Sequence, residues 1–484
     1  MATLTRLFSP IKIGNMEIKN RIVMSPMTTL YADLRERITP QLHEYYVTRA
    51  KGGVGMITLE VCTVDRPHNY QFKSLALWDD KFIPSHKELT SALHVHGVKV
   101  VPQISHPGPE SRAPLLFKIP AVGPSVVTSV MTEETCKELT LEEIAEIVRK
   151  YGDAARRARE AGYDGMELHG AHSYMLVGSF LSPLRNKRTD QYGGSLENRL
   201  RFPIEVIKSM KAATGGDFPL IMRISGDEIV PGGRTLEDTV KMVPILAEAG
   251  VDAFHVSGGV IDKLVTVIQP GPEYPLGLNV PAAAAIKKAV KVPIMVVGRI
   301  KYPTQAEEIL QKGQADMVVM ARALLADPEL PNKAKAGKLD DIRHCISCLN
   351  CFDSQVALEG LNCAVNAQLG FEGEYKLEPA PKPKKVMIIG GGPAGMEAAR
   401  VAAIRGHQVT LHEKLHRLGG SLIFASTVHP DNEDFLKYEI AQMNKFPVTV
   451  RLNSEVTPAM VSAAKPDVVI VALGPDLVAP KIAG

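Results

Sequence analysis

Four cysteines near the middle of the chain have the spacing of a metal centre. Cys345, Cys348 and Cys351 form C-x2-C-x2-C, and Cys363 follows after eleven intervening residues. The whole chain holds six cysteines, so this density indicates metal binding rather than a disulfide framework. Four thiolates suit either structural zinc or an iron–sulfur cluster. Nucleotide-binding patterns lie on both sides of the cysteines and favour iron over the zinc alternative.

A glycine-rich loop follows the cysteines. Gly390, Gly392 and Gly395 form G-x-G-x-x-G between a predicted strand at 386–389 and a predicted helix at 396–405. The first glycine permits a tight turn, the second lets a pyrophosphate approach the backbone, and the third lets helix and strand pack closely. The N-terminus of the helix adds N–H groups for the anion. This context predicts a dinucleotide site rather than an ordinary glycine turn.

Polar residues after the second predicted strand extend this site. Glu413 ends that strand, eighteen residues after Gly395, where a carboxylate can accept hydrogen bonds from ribose hydroxyls. Arg417 and Gly420 belong to R-L-G-G, which follows at the distance seen in FAD-binding proteins, where a second glycine pair borders the diphosphate. We therefore predict that the nucleotide is FAD.

A third group of polar residues lies in the first half of the chain. His169, His172 and Tyr174 stand in H-G-A-H-S-Y, at positions i, i+3 and i+5. Such side chains suit the capture of one polar group, with Tyr174 as a proton donor. The histidine spacing also permits a metal, but no third ligand is evident. We therefore predict a catalytic rather than a metal-binding role for all three residues.

Eight short apolar runs alternate with amphipathic helical patterns over the first 340 residues. The helical patterns include 141–161 and Leu236–Ala249, and several end in a glycine-bearing turn. Eight strands separated by helices predict a (β/α)8 TIM barrel, with a doubly wound sheet as the alternative. The predicted strands are 22–27, 55–59, 98–104, 165–169, 219–224, 253–256, 293–297 and 317–320. The H-G-A-H-S-Y segment follows strand four, at the catalytic face of such a barrel.

The domain organisation follows from these patterns and from a proline-rich linker at 378–385. We predict a TIM barrel over 1–340, an iron–sulfur segment with the linker over 341–380, and a Rossmann-like half-domain over 381–484. The last of these looks truncated before an NAD(P)H-binding domain.

Composition and charge narrow the classes of function. The 484 residues are 45% hydrophobic and 23% charged, and the net charge of +3 is spread along the chain. No basic arm points to nucleic acid, and no apolar run suits a signal peptide or a membrane span. We expect a cytoplasmic enzyme acting on a small molecule, as a homo-oligomer or with an external electron-transfer partner.

The H-G-A-H-x-Y segment and N-K-R-T-D-x-Y-G-G-S-L-E-N-R, at 186–199, carry a family resemblance. The chain resembles the iron–sulfur branch of the old yellow enzyme-like NADH:flavin oxidoreductases. This branch includes 2,4-dienoyl-CoA reductase, 2-enoate reductase, trimethylamine dehydrogenase and bile-acid enoate oxidoreductase. The resemblance covers almost the whole chain and implies FMN in the barrel, a [4Fe–4S] cluster on the cysteines, and FAD, or only ADP, in the half-domain.

The resemblance also implies which residues bind FMN. Gln103 matches a glutamine on the pyrimidine edge, and Arg223 an arginine near flavin N1, where a cation stabilises the reduced flavin. The strand-seven and strand-eight residues match a phosphate site. The FMN residues implied are Pro26, Met27, Thr28, Val61, Gln103, Arg223, Gly298, Arg299, Ala321 and Arg322. Some relatives add a catalytic histidine after strand six, where this chain offers only Asp262.

The implied activity is NAD(P)H-dependent reduction of an activated C=C bond in an enoate, enoyl-CoA or enone. Electrons would pass from NAD(P)H through FAD and the cluster to FMN, which delivers hydride from N5. His169 and His172 would hold the substrate carbonyl, and Tyr174 would protonate the α-carbon. Two alternatives are an amine dehydrogenase that passes electrons outward through the cluster, and a non-catalytic electron-transfer subunit.

Overall fold

The computed structural model describes residues 4–261 and 265–475, so Asp262 lies outside the described residues. The chain divides into two compact units. The first comprises 1–337 and 347–373, and the second comprises 338–346 and 374–484. The domain boundaries at 340 and 380 stay predictions.

A closed parallel barrel forms the first unit. Its strands in chain order are β1 (Ile11–Ile13), β2 (Met16–Ile18), β3 (Ile22–Met24), β4 (Met56–Thr63), β5 (Leu75–Ala76), β6 (Lys99–Ser105), β7 (Val122–Gly123), β8 (Lys137–Glu138), β9 (Met166–Gly170), β10 (Leu220–Ser225), β11 (Ala253–Ser257), β12 (Ile294–Val296) and β13 (Met317–Met320). Within the described residues, eight strands pair in parallel around the ring in the order β3, β4, β6, β9, β10, β11, β12 and β13. β13 returns to β3, with Val318 opposite Ile22.

This ring confirms the predicted TIM barrel, because a doubly wound sheet would leave its first and last strands unpaired. Each predicted barrel strand overlaps an observed one. The two shortest, β3 and β12, have three residues each. The prediction worked because strands buried on both faces read as short apolar runs between helical patterns.

Helices separate the strands of the first unit. They are α1 (Pro40–Lys51), α2 (Ile83–His94), α3 (Ala113–Phe117), α4 (Leu141–Glu160), α5 (Leu176–Leu181), α6 (Leu196–Ala213), α7 (Leu236–Ala249), α8 (Val265–Ile268), α9 (Val280–Ala289), α10 (Pro303–Gln311), α11 (Arg322–Ala326), α12 (Leu330–Lys335) and α13 (Asn350–Val356). Short 3-10 turns lie at Asp80–Phe82 and Gly108–Glu110. Thr140 and Glu143 form a capping box that begins α4. α7 has the predicted bounds and ends at Gly250, whose φ of +126° suits a residue without Cβ.

The β1–β2 hairpin closes one end of the barrel core. Its side chains Ile13, Met16 and Ile18 form one buried cluster with residues at the starts of the strands, including Met56 and Met317. Since the amino-terminal end is filled with apolar side chains, polar chemistry is left to the carboxyl ends of the strands.

The second unit is a parallel sheet with helices. Its strands are β14 (Lys385–Ile389), β15 (Gln408–His412), β16 (Val448–Arg451) and β17 (Val468–Val471), in the order β16-β15-β14-β17. Its helices are α14 (Pro393–Ile404), α15 (Leu422–Val428), α16 (Asp431–Lys445) and α17 (Pro458–Ala464), with a 3-10 turn at Leu339–Asp341. Ile388, Leu411 and Met396 lie in its core. The strand–glycine–helix order confirms the predicted Rossmann-like fold. Among the described residues, no helix combines the length and apolar character needed to cross a membrane.

Candidate active site at the carboxyl end of the barrel

The predicted histidine–tyrosine group lies at the end of β9. His169 is on the strand, and the backbone then turns sharply, with positive φ at His172 and Ser173. This turn places the Tyr174 hydroxyl 3.2 Å from His169 Nε2. The rings of His172 and Tyr174 stack, with 5.8 Å between their centroids. The structure therefore brings all three predicted residues together.

Serines at the ends of the next two strands hold His172. Its backbone N–H donates to Ser225 Oγ over 2.8 Å, and its Nε2 lies 2.8 Å from Ser257 Oγ. His172 Nδ1 is buried and has no hydrogen-bond partner among the described residues. Such an orphaned nitrogen suits a ligand. The sequence reasoning did not single out either serine, although each is the last residue of its barrel strand.

The site holds neutral imidazoles and a protonated phenol. Burial, assisted by the nearby Arg223 cation, lowers the pKa of both His169 and His172 well below the usual value. Burial also raises the pKa of Tyr174, although Arg223 opposes this shift. The Ala171 N–H donates to His169 Nδ1 over 3.4 Å, which leaves the ring proton on Nε2. His169 therefore points an N–H towards the tyrosine hydroxyl.

Arg223 lies on the strand beside this group. It is paired with His169 on β9 and with His255 on β11. Its Nε is buried without a hydrogen-bond partner among the described residues. Burial lowers the pKa of Arg223, against the opposing effect of Glu167. A half-buried cation with an unused N–H fits the predicted role beside the electron-rich edge of a flavin.

A hydrogen-bonded chain of three buried side chains crosses the strands near Arg223. Gln103 Nε2 donates to Glu167 Oε1 over 2.7 Å, and His255 Nδ1 lies 2.9 Å from Glu167 Oε2. The sequence reasoning predicted Gln103 and missed the other two. One signal was available, because Glu167 precedes His169 by two residues on a strand and so lies on the same face.

The β3 segment and Val61 lie at the same end of the barrel. Pro26 is buried, and Met27 and Thr28 are half-buried just beyond β3. The β4–β6 register shifts between Leu59 and Val61, and Val61 then pairs with Gln103. Two predicted FMN residues from different strands are therefore neighbours.

The bulged residue Glu60 is a buried carboxyl beside this segment. It is 1% exposed, and its Oε2 accepts the Thr29 N–H over 2.7 Å. Its Oε1 has no hydrogen-bond partner among the described residues. Burial raises the pKa of Glu60 to about 7, although the Thr29 hydrogen bonds oppose the shift.

The predicted phosphate residues follow two neighbouring strands, and both arginines bond to the same loop. Gly298, with φ of +133°, and Arg299 follow β12, whereas Ala321 and Arg322 follow β13. Arg299 Nη1 donates to Pro272 O over 3.0 Å, and Arg322 Nη2 donates to Pro270 O over 2.6 Å. Arg322 Nη1 is buried with no partner among the described residues. This orphaned donor fits a phosphate oxygen at the place where barrels of this type bind phosphate.

A buried ionic cluster lies after β4 and β6. Asp65 Oδ2 is 2.7 Å from His68 Nδ1 and 3.5 Å from His106 Nε2, and Asp65 Oδ1 is 2.8 Å from Lys150 Nζ. Asp65, His68 and His106 are close enough to share a metal ion. Because the Lys150 ammonium already neutralises the carboxylate, we interpret the cluster as a structural ion pair. The hydrogen bonds from both histidines and from Lys150 lower the pKa of Asp65 despite its burial.

The glycine loop of the second unit fits a pyrophosphate. Gly390 has a φ of +110°, and a Cβ at Gly395 would collide with the Gly390 carbonyl oxygen. A Cβ at Gly392 would meet only Gly420 Cα, at 3.9 Å, whereas a Cβ at Gly420 would lie 3.0 Å from Gly392 Cα, so the two glycines let the two backbone segments approach closely. Both glycines stand where the sequence predicts the diphosphate.

Glu413 supports the same loop. Its Oε2 accepts the Gly391 N–H over 2.6 Å, and its Oε1 accepts the Leu415 N–H over 2.8 Å. The carboxylate therefore orders the glycine loop as well as standing at the predicted ribose position. Arg417 is exposed in the same unit.

The four cysteines of the predicted cluster are divided between the two units. Cys345 is in the segment 338–346 of the second unit, and Cys348, Cys351 and Cys363 are in the segment 347–373 of the first. Cys348 is exposed, and the other three are half-buried. Their assignment as cluster ligands stays a prediction from spacing. Cys62 and Cys136 are buried within the first unit.

Comparison with known proteins identifies the family. A model of the NADH:flavin oxidoreductase / NADH oxidase family matches residues 6–341. This chain belongs to that family. A second model, described as pyridine nucleotide-disulphide oxidoreductase, matches residues 282–473. These matches confirm the predicted family and the predicted FMN, FAD and NAD(P)H, and the protein is an oxidoreductase.

Individual relatives extend over both units. The chain is 43% identical to an NADH oxidase of Thermoanaerobacter brockii, covering 100% of this chain and 75% of that protein. It is 36% identical to a cinnamate reductase of Clostridium sporogenes, covering 97% of this chain and 74% of that protein. A solved 2-naphthoyl-CoA reductase in complex with 2-naphthoyl-CoA is 32% identical, with a TM-score of 0.95, covering 99% of this chain and 75% of the other.

Proposed function

We propose that this flavin oxidoreductase reduces an activated C=C bond, conjugated to a carbonyl, at the expense of NAD(P)H. The observation that carries the proposal is the pairing of imidazole N–H donors with a protonated phenol beside the half-buried Arg223. Relatives that include a cinnamate reductase and a 2-naphthoyl-CoA reductase support it, since both names describe acids or thioesters conjugated to unsaturated carbon.

The barrel residues proposed to hold FMN fit its parts. Gln103 and Arg223 face the pyrimidine side, Pro26 to Thr28 and Val61 line the ring, and the loop held by Arg299 and Arg322 binds the phosphate. When bound, FMN supplies hydride from N5 to the β-carbon of the substrate. The orphaned nitrogens of Arg223 and Arg322 are the donors that a bound anionic cofactor would satisfy.

The histidines are proposed to polarise the substrate carbonyl. His169 carries its proton on Nε2, and a Ser257 hydroxyl that donates to His172 Nε2 leaves the His172 proton on the orphaned Nδ1. The unpartnered His172 N–H, together with the His169 N–H once a bound carbonyl competes with the Tyr174 hydroxyl for it, would donate to one substrate oxygen and stabilise the negative charge that develops on it as the C=C bond is reduced. Tyr174, held 3.2 Å from His169, delivers its phenolic proton to the α-carbon.

The substitution Tyr174→Phe tests this assignment. The enzyme, reduced by NAD(P)H under anaerobic conditions, is mixed rapidly with a simple enone, and the return of oxidised flavin absorbance is followed. We expect reoxidation to slow by about 10²- to 10⁴-fold, the usual contribution of a positioned acid, while reduction by NAD(P)H keeps its rate. Unchanged reoxidation would refute Tyr174 as the proton donor.

Tyr70→Phe is the matched control. The Tyr70 ring lies 5.7 Å from the Tyr174 ring, and the two hydroxyls share a hydrogen bond, so this change removes that hydrogen bond and leaves the Tyr174 hydroxyl in place. We expect the rate of flavin reoxidation in this variant to stay within a few-fold of the rate in the unchanged enzyme. An equal loss in both variants would mean that packing around the rings, rather than proton transfer, limits the reaction.

We propose FAD as the nucleotide of the second unit, and we propose the four cysteines as ligands of a [4Fe–4S] cluster. Thiolates are the ligands that such clusters require. Anaerobic isolation followed by iron, sulfide and nucleotide analysis tests both points. FAD supports electron flow from NAD(P)H towards the barrel, whereas ADP alone would favour an amine dehydrogenase. Colourless protein with zinc as its sole metal would contradict the cluster.

We propose the cytoplasm as the cellular setting, because six cysteines without a disulfide framework suit a reducing compartment. Light scattering of the purified holoenzyme would distinguish a homo-oligomer from a monomer that needs an external electron-transfer partner.

A further inference from the structure

Glu167 has no role in the reaction proposed above, yet both of its carboxylate oxygens bond to other buried side chains of the barrel interior. Glu167 lies on β9 and is 0% exposed. Its hydrogen-bond partner His255 lies on β11 and is also 0% exposed. One carboxylate oxygen receives the Gln103 amide over 2.7 Å, and the other lies 2.9 Å from His255 Nδ1. Both oxygens of a fully buried acid are thus committed to side chains from different strands.

The chemistry of these hydrogen bonds fixes the direction of the Gln103 amide. A carboxylate only accepts hydrogen bonds, so the NH2 group of Gln103, and not its carbonyl, must face Glu167. The amide carbonyl is then the group that remains for a ligand. The pyrimidine edge of a flavin carries a single N–H, at N3, between two carbonyls. A glutamine locked in this direction is complementary to that N–H, whereas a flipped amide would oppose donor to donor.

The hydrogen bond between Glu167 and His255 also determines the charge that lies beside the proposed flavin site. His255 donates from Nδ1, and its Nε2 is buried with no partner among the described residues. Burial lowers the pKa of His255, against the opposing effect of Glu167, so the imidazole stays neutral. The pair therefore carries one negative charge. Arg223, whose register neighbours include His255, is the cation that feels this charge.

We propose that Glu167 is a positioning residue of the flavin site, which locks the Gln103 amide towards flavin N3–H and offsets part of the Arg223 charge. This inference rests on the proposed FMN site. The locked amide favours binding of either oxidation state of the flavin. The net charge beside the flavin sets its reduction potential. A cation near N1, here Arg223, stabilises the reduced flavin, and the nearby Glu167 carboxylate weakens that stabilisation.

Two substitutions separate the two effects. Glu167→Gln removes the charge and keeps an acceptor oxygen of the same reach for the Gln103 amide. Glu167→Asp keeps the charge and shortens the side chain, so the amide loses its partner. We expect Glu167→Gln to retain FMN and to raise its potential. We expect Glu167→Asp to weaken FMN binding at least tenfold with a smaller change in potential.

The potential is measured on the full chain by anaerobic equilibration with a dye of known potential. FAD and the cluster are common to all variants and cancel in the comparison. The expected shift for Glu167→Gln is at least tenfold in the equilibrium between oxidised and reduced FMN, which is about 30 mV for a two-electron couple. FMN affinity is measured by titrating the deflavinated protein and following flavin fluorescence.

Asp164→Asn is the matched control. Asp164 precedes the same strand at its other end, where it bonds to Lys99 and to the Val100 N–H. We expect that variant to leave FMN potential and affinity unchanged. An unshifted potential in Glu167→Gln, or unweakened binding in Glu167→Asp, would overturn the corresponding half of the inference while the unchanged enzyme still holds FMN. If the unchanged enzyme holds no FMN, the proposed function fails instead.

Discussion

Replacing Glu60 with glutamine tests whether ionisation of this buried carboxyl group, at the bulge on β4, lowers the stability of the folded protein. The carboxyl group is 1% exposed, and one oxygen accepts the Thr29 N–H beside the proposed flavin segment. Its other oxygen has no partner among the described residues. Glutamine keeps an acceptor for Thr29 and removes the ionisation, so the change isolates the cost of burying a charge.

The expected magnitude follows from the pKa. Burial raises the pKa of Glu60 from 4.5 to about 7 in the folded protein. A group whose folded pKa is raised contributes fully below its unfolded value, near pH 4.5, and loses that contribution as the pH rises through about 7. A difference of about 2.5 pKa units corresponds to about 3 kcal/mol at most, of which roughly 2 to 3 kcal/mol is lost between pH 5 and pH 8.

Urea unfolding at pH 5 and pH 8 measures this pH-dependent loss of stability. Trp78, the single tryptophan, lies in the first unit with its ring centroid 5.1 Å from that of Phe82, so its fluorescence follows that unit. We expect the difference in unfolding free energy between the two pH values to change by roughly 2 to 3 kcal/mol in Glu60→Gln, in favour of stability at pH 8.

The control for this experiment is Glu17→Gln, which changes a carboxylate that is 65% exposed in the same unit. That variant should keep the pH dependence of the unchanged protein. If Glu60→Gln also keeps it, Glu60 ionises normally in the folded state, and the argument from burial is refuted.

Three further substitutions probe the other sites. Gly395→Ala places a Cβ against the Gly390 carbonyl oxygen, so nucleotide extracted from the second unit should be lost while FMN content persists. Cys348→Ala should lower iron and sulfide content, and unaltered content would remove that residue from the cluster. Asp65→Asn leaves Lys150 paired only with the more exposed Glu146 and should destabilise the first unit by about 1 to 3 kcal/mol in urea unfolding at pH 7. A loss below 1 kcal/mol would show that the cluster is dispensable.

Much of the site was predictable because its signals are local. His169, His172 and Tyr174 lie within six residues, so one turn after one strand decides their proximity. The glycines of the second unit are equally local, because a strand, a loop and a helix N-terminus fix their geometry. Family resemblance added Gln103 and Arg223, which no spacing argument would have placed beside a flavin.

The partners of those residues were not predictable in the same way. Gln103 and Glu167 are 64 residues apart, and Glu167 and His255 are 88 apart. Their contacts depend on which strands are neighbours and on the register between them. The burial of Glu60 was equally hard to predict, because it follows from a shift in the β4–β6 register that no pattern in the nearby sequence indicates.

The sequence by itself determined the barrel, the half-domain and the order of the chemical groups along the chain. These depend on apolar periodicity and on turn residues, which act over a few positions. Only the tertiary structure decided how buried polar groups pair, which nitrogen of His172 stays unpartnered, and where a carboxyl group meets Arg223. The physical reason is that a buried polar atom is satisfied by whatever the fold brings within about 3 Å, and closure of the barrel, rather than nearness in the chain, sets that distance.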